Sequence, residues 1–387
     1  QILELYMNCI YLSQGCNGVQ TAAEVYFGKD AADLTLAESA CLAGITQYPS
    51  KYDPFVNPEA NKERQEMVLD KMLELGYINQ EEHDAAVNES LNFVDNSKDE
   101  EEGTVATSYF VDQVIRDVIR DLQKKGYSES LAHRILYSGG VKVYTTYDPR
   151  IQGIVEDYYE NTRNFPGTEA QSAIVVTEVG TGRVVGIAGG IGEKPGSLTW
   201  NRASMSKRQP GSTIKPIAVY APAIDSGVIS PGSVFDDKAK PYDGWIPRNY
   251  DFNYRGKVNV QRALRTSLNT TPVEILWNHL GVQQSFDYLR DKMGITTLVE
   301  SREQNGMVLT DLGAPQLALG GLTDGATVLE MSSAFATFGN NGVYNMPHTY
   351  TEVKDKDGNV VVAADRSSWE AMRPSTAYIM SLMLRDV

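Results

Sequence analysis

The chain has 387 residues, of which 42% are hydrophobic and 22% charged, and it carries a net charge of −15. This ordinary globular composition excludes disorder, collagen and coiled coil as descriptions of the whole chain, and the acidic balance argues against a nucleic-acid partner because like charges repel. At roughly 150 residues per domain, the length predicts two to three domains.

Residues 1–92 are predicted to be mainly helical. Thr35 and Glu38 form a capping-box pattern ahead of an apolar run, and Asn79 and Glu82 repeat that pattern further along. Between the two patterns, apolar residues recur at three-to-four spacing, which predicts another helix. The three cysteines of the chain all lie in this part, and they show no metal-ligand spacing, so free thiols are expected.

The polar, like-charged run DNSKDEEEG at 95–103 predicts an exposed linker. We therefore divide the chain into a helical part at 1–92, a linker and small α/β region at 93–170, and a larger domain at 171–387. In that domain, two β-branched runs flank Gly180-Thr181-Gly182, which is typical of an antiparallel hairpin. Helical stretches follow the hairpin, so the fold class predicted for the chain is α+β.

Common catalytic motifs are missing from the sequence. There is no GxSxG, HExxH, GxxxxGK[ST], GxGxxG or EF-hand pattern, and the four histidines share no spacing. A Ser-His-Asp hydrolase is therefore disfavoured. No window approaches about 18 consecutive apolar residues, and Gln1 opens the chain without a signal-peptide pattern. We expect a chain trimmed at its start, with any export signal or anchor lying upstream.

The segment QPGSTIKP at 209–216 carries the first candidate site. Its Pro-Gly turn places Ser212 at the start of a helix, with Lys215 on the same face. A lysine whose pKa is lowered by desolvation can take the proton of such a serine, which indicates acyl transfer through Ser212. The spacing alone is weak evidence, and Ser204 with Lys207 is a second match. That second match lacks the Pro-Gly turn, so it is disfavoured.

The triplet Ser267-Leu268-Asn269 is the second candidate element, and it follows a predicted helical run. If it faces Ser212, the Ser267 hydroxyl could relay a proton and the Asn269 amide could hold a substrate amide. Taken alone, the triplet could simply cap a helix. The evidence for acyl transfer is therefore the combination of the two motifs.

These residues resemble the transpeptidase domain of the penicillin-binding proteins, whose signature is S-x-x-K, an S-D-N type triplet and K-T-G. The segments RQPGSTIKP, YRGKVNVQRALRTSLNTTPVEIL and LALGGLTDGATVLEMSSAFATFGNNGVY all look like that family. Residues 1–29 and 34–54 resemble the closing half of a family 51 peptidoglycan glycosyltransferase. The two halves together imply a class A member of the family.

The sequence departs from the family pattern in two places. The catalytic glutamates of the glycosyltransferase would lie before Gln1, and Glu4 belongs to a later motif, while Asn8, Tyr11, Gly15 and Gly18 are expected to be structural or glycan-site positions. No K-T-G occurs, so we expect a central antiparallel sheet that is packed by helices and incomplete at its C-terminal end. The chain on its own is expected to be inactive.

The resemblance implies that Ser212 attacks a D-Ala-D-Ala amide, with Lys215 as base, Ser267 as proton relay and Asn269 as substrate holder. It implies no metal and no organic cofactor. The partners implied are peptidoglycan stem peptides, lipid II and β-lactams, together with a membrane anchor upstream and possible cell-wall assembly proteins. The location implied is the bacterial membrane, with the catalytic domains outside the cytoplasm.

Two alternatives stay open. Water in place of an amine would make the protein a carboxypeptidase or a β-lactamase-like hydrolase, and loss of activity would leave a binding or scaffold role.

Two further residues, Pro222 and Tyr250, carry expectations about the structure. Pro222 predicts a kink or an early end of the Ser212 helix, because proline lacks an amide donor. Tyr250 is either a cleft-rim aromatic or a packing residue.

Overall fold

The computed structural model describes residues 2–14, 16, 18–49, 51–94, 107–165 and 170–387. The chain divides into two compact units, Gln1–Val105 and Ala106–Val387. The predicted linker at 95–103 lies outside the described residues, and the division into three parts stays a prediction.

The first unit is helical, as the sequence predicts. Thr35 and Asn79 both cap helices with complete capping boxes, in which Glu38 and Glu82 return the hydrogen bond. Across the described part of the chain, no helix has the length and apolar character needed to cross a membrane. The helices of the first unit are α1 (Ile2–Cys9), α2 (Val19–Phe27), α3 (Leu36–Ile45), α4 (Pro58–Glu74) and α5 (Gln80–Asn88).

The second unit combines helices with short strands. Its helices are α6 (Tyr109–Lys124), α7 (Glu129–Ser138), α8 (Pro149–Glu160), α9 (Ala221–Asp225), α10 (Val260–Arg265), α11 (Thr270–Ile275), α12 (Val282–Asp287), α13 (Ala314–Leu319), α14 (Val328–Gly339) and α15 (Pro374–Arg385). Its strands are β1 (Lys142–Thr145), β2 (Ile174–Thr177), β3 (Val184–Ala188), β4 (Val234–Asp237), β5 (Gly256–Asn259), β6 (Arg302–Gln304), β7 (Met307–Leu309), β8 (Val343–Asn345), β9 (Tyr350–Lys354), β10 (Val360–Ala363) and β11 (Ser368–Glu370).

The strand pairs are antiparallel, as the sequence predicts. Strands β1, β9 and β10 form a three-stranded sheet in that order, and β2–β3, β4–β5, β6–β7 and β8–β11 form separate pairs. The predicted hairpin around Gly180-Thr181-Gly182 is the β2–β3 pair, with Ile174 opposite Ala188. The α+β fold class is confirmed, although hydrogen bonds divide the described strands among these five groups.

One buried helical segment runs through the core of the second unit. This segment, the Ser212 helix, begins as a 3-10 turn at Gly211–Ile214, continues as a π-helix at Pro216–Tyr220 and ends as α9. Its residues from Ile214 to Ile224 are buried on every side, including Ile217 and Tyr220 at 0% exposure. Lys215 is the one charged residue of this stretch, and a helix that is otherwise hydrophobic on all sides belongs in the centre of a domain. The core therefore fixes the position of the end that carries Ser212.

Pro222 lies in the last turn of the Ser212 helix, which ends soon afterwards at Asp225. Proline has no amide hydrogen to give to the carbonyl one turn earlier, that of Ala218. The hydroxyl of Ser285 on α12 donates to this buried carbonyl at 2.7 Å, and Ser285 is itself 0% exposed. A side chain from a neighbouring helix thus supplies a hydrogen bond to the carbonyl that, in an α-helical register, Pro222 would leave without a donor.

We predict that Ser285→Ala lowers the free energy of unfolding of the second unit by about 1–3 kcal/mol, because it removes the donor to a buried carbonyl. The four tryptophans, at 200, 245, 277 and 369, all lie in the second unit, so their fluorescence in urea reports on it alone. Ser301→Ala, at an exposed serine, is the control and should leave the midpoint unchanged. Equal midpoints for both variants would contradict the prediction.

Candidate active site

The turn before the core helix sets the direction of Ser212 and Lys215. Gly211 adopts φ 57°, and the Lys215 amide donates to the Ser212 carbonyl, which closes a 3-10 turn. Side chains three residues apart lie one above the other in such a turn, so both point to the same side. Ser212 is exposed, whereas Lys215 is only 1% exposed.

A glycine-containing loop packs directly on the backbone of this turn. A Cβ on Gly320 would lie 2.3 Å from the Gly211 carbonyl oxygen, and one on Gly325 would lie 2.3 Å from the Arg208 carbonyl carbon. Arg208 and Ala326 exchange two backbone hydrogen bonds of 3.0 and 2.9 Å. No larger residue fits at these approaches. The segment LALGGLTDG contains both glycines, and the sequence alone indicates only a family resemblance there.

Ser267 lies in an unusual turn at the end of α10. Its amide donates to Leu264 at 2.9 Å, and the Leu268 amide donates to Ala263 at 3.0 Å. This is a Schellman motif, and Ser267 holds its left-handed position, usually a glycine, with φ 51°. That conformation costs a residue with a Cβ about 1–2 kcal/mol. The predicted triplet does follow a helix, and Ser267 helps to cap that helix through its backbone amide, whereas its hydroxyl contacts Lys215.

The Lys215 amino group contacts the turn at 267–269. Nζ donates to the Ser267 carbonyl at 2.9 Å, to the Ser267 hydroxyl at 3.2 Å, to the Leu268 carbonyl at 3.0 Å and to Asn269 Oδ1 at 2.7 Å. Three of the four site residues predicted from the sequence are therefore in direct contact. They come from segments more than fifty positions apart in the chain.

Ser212, the fourth predicted site residue, is exposed and lies three residues before Lys215 on the same side of the turn. Among the residues that the structure describes, none forms a hydrogen bond with its hydroxyl, so no hydrogen bond joins it to Lys215 or to the turn at 267–269. A hydroxyl without a partner is free to meet an incoming carbonyl carbon.

Burial lowers the pKa of Lys215 to about 8, because a charged amino group loses hydration in the core. Within the described parts of the chain, no charged side chain contributes to this shift. Near pH 8 a substantial fraction of the lysine is neutral, and a neutral amine has a lone pair that can accept a hydroxyl proton.

Two residues that the sequence analysis missed hold the turn from its other side. Asn249 Oδ1 accepts the Asn269 amide at 2.9 Å, and Asn249 Nδ2 donates to both oxygens of Asp237, at 2.9 and 3.0 Å. No spacing pattern links three polar residues that lie so far apart in the chain. Tyr250, next to Asn249, is 97% exposed, so the packing alternative is wrong.

The second S-x-x-K match is built differently. The Ser204 hydroxyl donates to Gln113 at 2.5 Å, and the Lys207 side chain is 46% exposed and pairs with Asp324 at 3.4 Å. The amino group of this lysine is hydrated and paired with a carboxylate, so the pair lacks the buried lysine that Lys215 supplies.

The positions of the first unit that are expected to be structural or glycan-binding differ in their surroundings. A Cβ on Gly18 would lie 2.7 Å from the Asn8 carbonyl oxygen, which gives Gly18 a structural role. Gly15 lies outside the described residues. Asn8 lines a cavity of about 580 Å³ with mainly apolar walls, which include Tyr6, Ile10, Leu12, Leu34 and Leu42. Among the described side chains, no group of three His, Cys, Asp or Glu could hold a metal ion.

Family models match both parts of the chain. Residues 1–73 match a transglycosylase model, and residues 172–387 match the model of the penicillin-binding protein transpeptidase domain. The second match covers more than half of the chain.

Similar proteins agree with these matches. Penicillin-binding protein 1F of Bacillus subtilis (strain 168) is 32% identical over 389 residues, covering 100% of this chain and 51% of that protein. Penicillin-binding protein 1A of Clostridium perfringens (strain 13 / Type A) is 33% identical over 421 residues, covering 100% of this chain and 60% of that protein. The chain thus spans roughly half to three fifths of these relatives.

Solved structures show the same fold. Penicillin-binding protein 1A from Haemophilus influenzae superposes with a TM-score of 0.69 at 21% identity, covering 99% of this chain and 72% of that one. PonA1 from Mycobacterium tuberculosis in complex with penicillin V has a TM-score of 0.56 at 24% identity, covering 69% of this chain and 68% of that one.

We predict that Ser267→Gly raises the free energy of unfolding of the second unit by about 1 kcal/mol, because glycine adopts the left-handed conformation without a steric penalty. Tryptophan fluorescence in urea measures the change. Ser226→Gly is the matched control, since Ser226 has an ordinary φ of −73°, and it should lower stability by about 0.5–1 kcal/mol. Destabilisation by both variants would show that the hydroxyl contact outweighs the strain.

Proposed function

This chain belongs to the class A penicillin-binding proteins, and we propose that its Ser212 is the nucleophile of a D-Ala-D-Ala transpeptidase that cross-links peptidoglycan. The observation that carries the proposal is the buried contact of Lys215 with the turn at 267–269, three residues after an exposed Ser212 on the same side of its turn. A lysine that can become neutral, one turn along from a serine hydroxyl, is the arrangement that serine acylation needs.

In the first half-reaction, the Ser212 hydroxyl attacks the carbonyl carbon between the two D-Ala residues of a stem peptide. Neutral Lys215 takes the hydroxyl proton. The amide C–N bond breaks, the terminal D-Ala leaves as its amine, and that amine receives a proton through the Ser267 hydroxyl, which lies 3.2 Å from Lys215 Nζ. An ester between Ser212 and the stem peptide remains.

In the second half-reaction, an amine of a neighbouring stem peptide attacks the ester carbonyl. Its proton returns through Ser267 and Lys215 to the Ser212 oxygen as the ester bond breaks. Asn269 is the proposed substrate holder: its Oδ1 accepts from Lys215 and one Nδ2 hydrogen goes to the Arg248 carbonyl, which fixes the amide and leaves the second Nδ2 hydrogen for the peptide. The product is a cross-link between two strands.

For the first unit, we propose the closing half of a glycosyltransferase that polymerises glycan strands from lipid II. The match at residues 1–73 supports this assignment. The cavity that Asn8 lines in this unit has largely apolar walls, which suit a lipid-linked sugar better than a free one.

The partners proposed for the second unit are stem peptides and β-lactams. PonA1 was solved with penicillin V, and penicillin-binding protein 3 of Mycobacterium tuberculosis with ampicillin, and both share the fold of this unit. We place the protein at the outer face of a bacterial membrane, where its substrates are assembled, with cell-wall assembly proteins as further partners. No metal or organic cofactor enters either half-reaction as proposed.

We predict that a tagged penicillin forms an adduct on Ser212 of the natural protein at its full length. Mass spectrometry of the tryptic peptide that begins at Gln209 locates the adduct. Ser212→Ala should abolish it, and Ser204→Ala is the matched control that should retain it. Absence of an adduct on folded protein, or an adduct that survives Ser212→Ala, would reject the acyl-serine mechanism. Hydrolysis of the lactam, with stem peptides that end in a free carboxylate and form no cross-link in the presence of an acceptor amine, would identify a hydrolase.

We predict that the acylation rate rises about tenfold per pH unit below a midpoint of about 8 and levels off above it, because only neutral Lys215 accepts the proton and burial lowers its pKa to about 8. Stopped-flow measurement of acylation by a fluorescent penicillin gives the acylation rate at each pH. Lys215→Arg keeps the positive charge at all these pH values and should slow acylation by at least about 100-fold. A flat profile from about pH 6 to about pH 9 would contradict the assignment of Lys215 as base.

A further inference from the structure

We propose that Asp237 and Asn249 are positioning residues for Lys215, acting through the turn at 267–269. Neither touches the lysine, the nucleophile or the expected place of the substrate. This inference deepens the proposed function and rests on it.

Asp237 is a buried carboxylate with its hydrogen-bonding capacity filled. It is 1% exposed, at the end of β4, and it accepts the Thr270 hydroxyl at 2.5 Å and the Arg255 amide at 2.8 Å in addition to the two bonds from Asn249. A buried charge persists only where such bonds replace water. Asp237 therefore ties three segments together: the strand, the loop at 248–255 and the start of α11.

The carboxylate also dictates the orientation of the Asn249 amide. Both oxygens of Asp237 accept hydrogen bonds, so the Nδ2 group of Asn249 faces Asp237, and Nδ2 also donates to the Asn253 carbonyl at 2.9 Å. The Oδ1 atom is then turned toward Asn269, whose amide it accepts at 2.9 Å. With the amide reversed, two donors would face each other.

Asn269 transmits this arrangement to Lys215. Its backbone is held by Asn249, its Nδ2 donates to the Arg248 carbonyl at 2.7 Å, and its Oδ1 accepts from Lys215 at 2.7 Å. The cluster thus holds the turn on one side, and the lysine contacts it on the other. The groups of the turn that face Nζ are all neutral oxygens.

Loss of the Asn249 amide would leave the Asn269 amide without its acceptor and free the turn to move. Water could then reach Lys215 Nζ. Because burial is what lowers the pKa of this lysine to about 8 from 10.5, partial hydration moves the pKa upward. A change that only weakened the fold would leave the midpoint of the acylation profile where it is.

The test is the pH profile of penicillin acylation in the natural protein at full length. Asn249→Ala should move the midpoint up by at least about one pH unit, so that acylation at a fixed pH below the midpoint slows about tenfold. Asn278→Ala, at an exposed asparagine, is the matched control and should leave the profile unchanged. Tryptophan fluorescence confirms that each variant is folded.

Asp237→Asn is the second variant, in case Asn249→Ala does not fold. It keeps the size of the side chain but no longer dictates the Asn249 orientation, so a smaller upward shift is expected. Asp236→Asn, at the neighbouring residue that pairs with Lys238, is its control and should cause no shift. Unchanged midpoints in both test variants would overturn the inference alone. Absence of acylation in the wild-type protein would overturn the proposed function, and this inference with it.

Discussion

The contact between the Lys215 amino group and the turn at 267–269 is the interaction on which the rest of the site depends. Burial in the core opposes the charge on Nζ, while four oxygen atoms within 3.2 Å accept its hydrogens. Burial outweighs the acceptors, since the pKa falls to about 8. The acceptors therefore hold the amino group at the turn while burial makes its neutral form accessible, and a base needs both.

Several unusual features of the second unit surround this contact. The Ser212 helix is buried on every side, which supplies the burial of Lys215, and Ser285 donates to a carbonyl in its π-helical turn, four residues before Pro222. Ser267 occupies a conformation that glycine usually takes, and Gly320 lets a loop lie against the Gly211 backbone. Strained or crowded backbone persists only where the surrounding structure enforces it, and it collects at functional sites. Each of these features acts on the position of Ser212, Lys215 or the turn.

Local sequence patterns correctly predicted the elements that are stabilised by contacts between neighbours in the chain. The capping boxes at Thr35 and Asn79 and the hairpin around Gly180-Thr181-Gly182 are formed by neighbours in the chain, and all three are confirmed. The three-residue spacing of Ser212 and Lys215 predicted that both side chains lie on one face of a helical turn, which is also a property of neighbours in the chain. The roles of the four site residues stay a prediction that the structure makes sterically reasonable.

The remaining parts of the site depend on contacts that no sequence period encodes. Asp237 accepts a hydrogen bond from Asn249, 12 positions away in the chain, and Asn249 accepts one from Asn269, 20 positions away. The burial of Lys215 follows from how the whole core packs, and the π-helical turn follows from the same packing.

The most direct test of this account is a titration of Lys215 itself, by nuclear magnetic resonance of the protein labelled with ¹⁵N at lysine Nζ, with the signal assigned from Lys215→Arg. The account predicts a midpoint of about 8 for this residue. A midpoint near the ordinary value of 10.5 would show that the turn keeps the lysine charged, and it would contradict the assignment of Lys215 as the base.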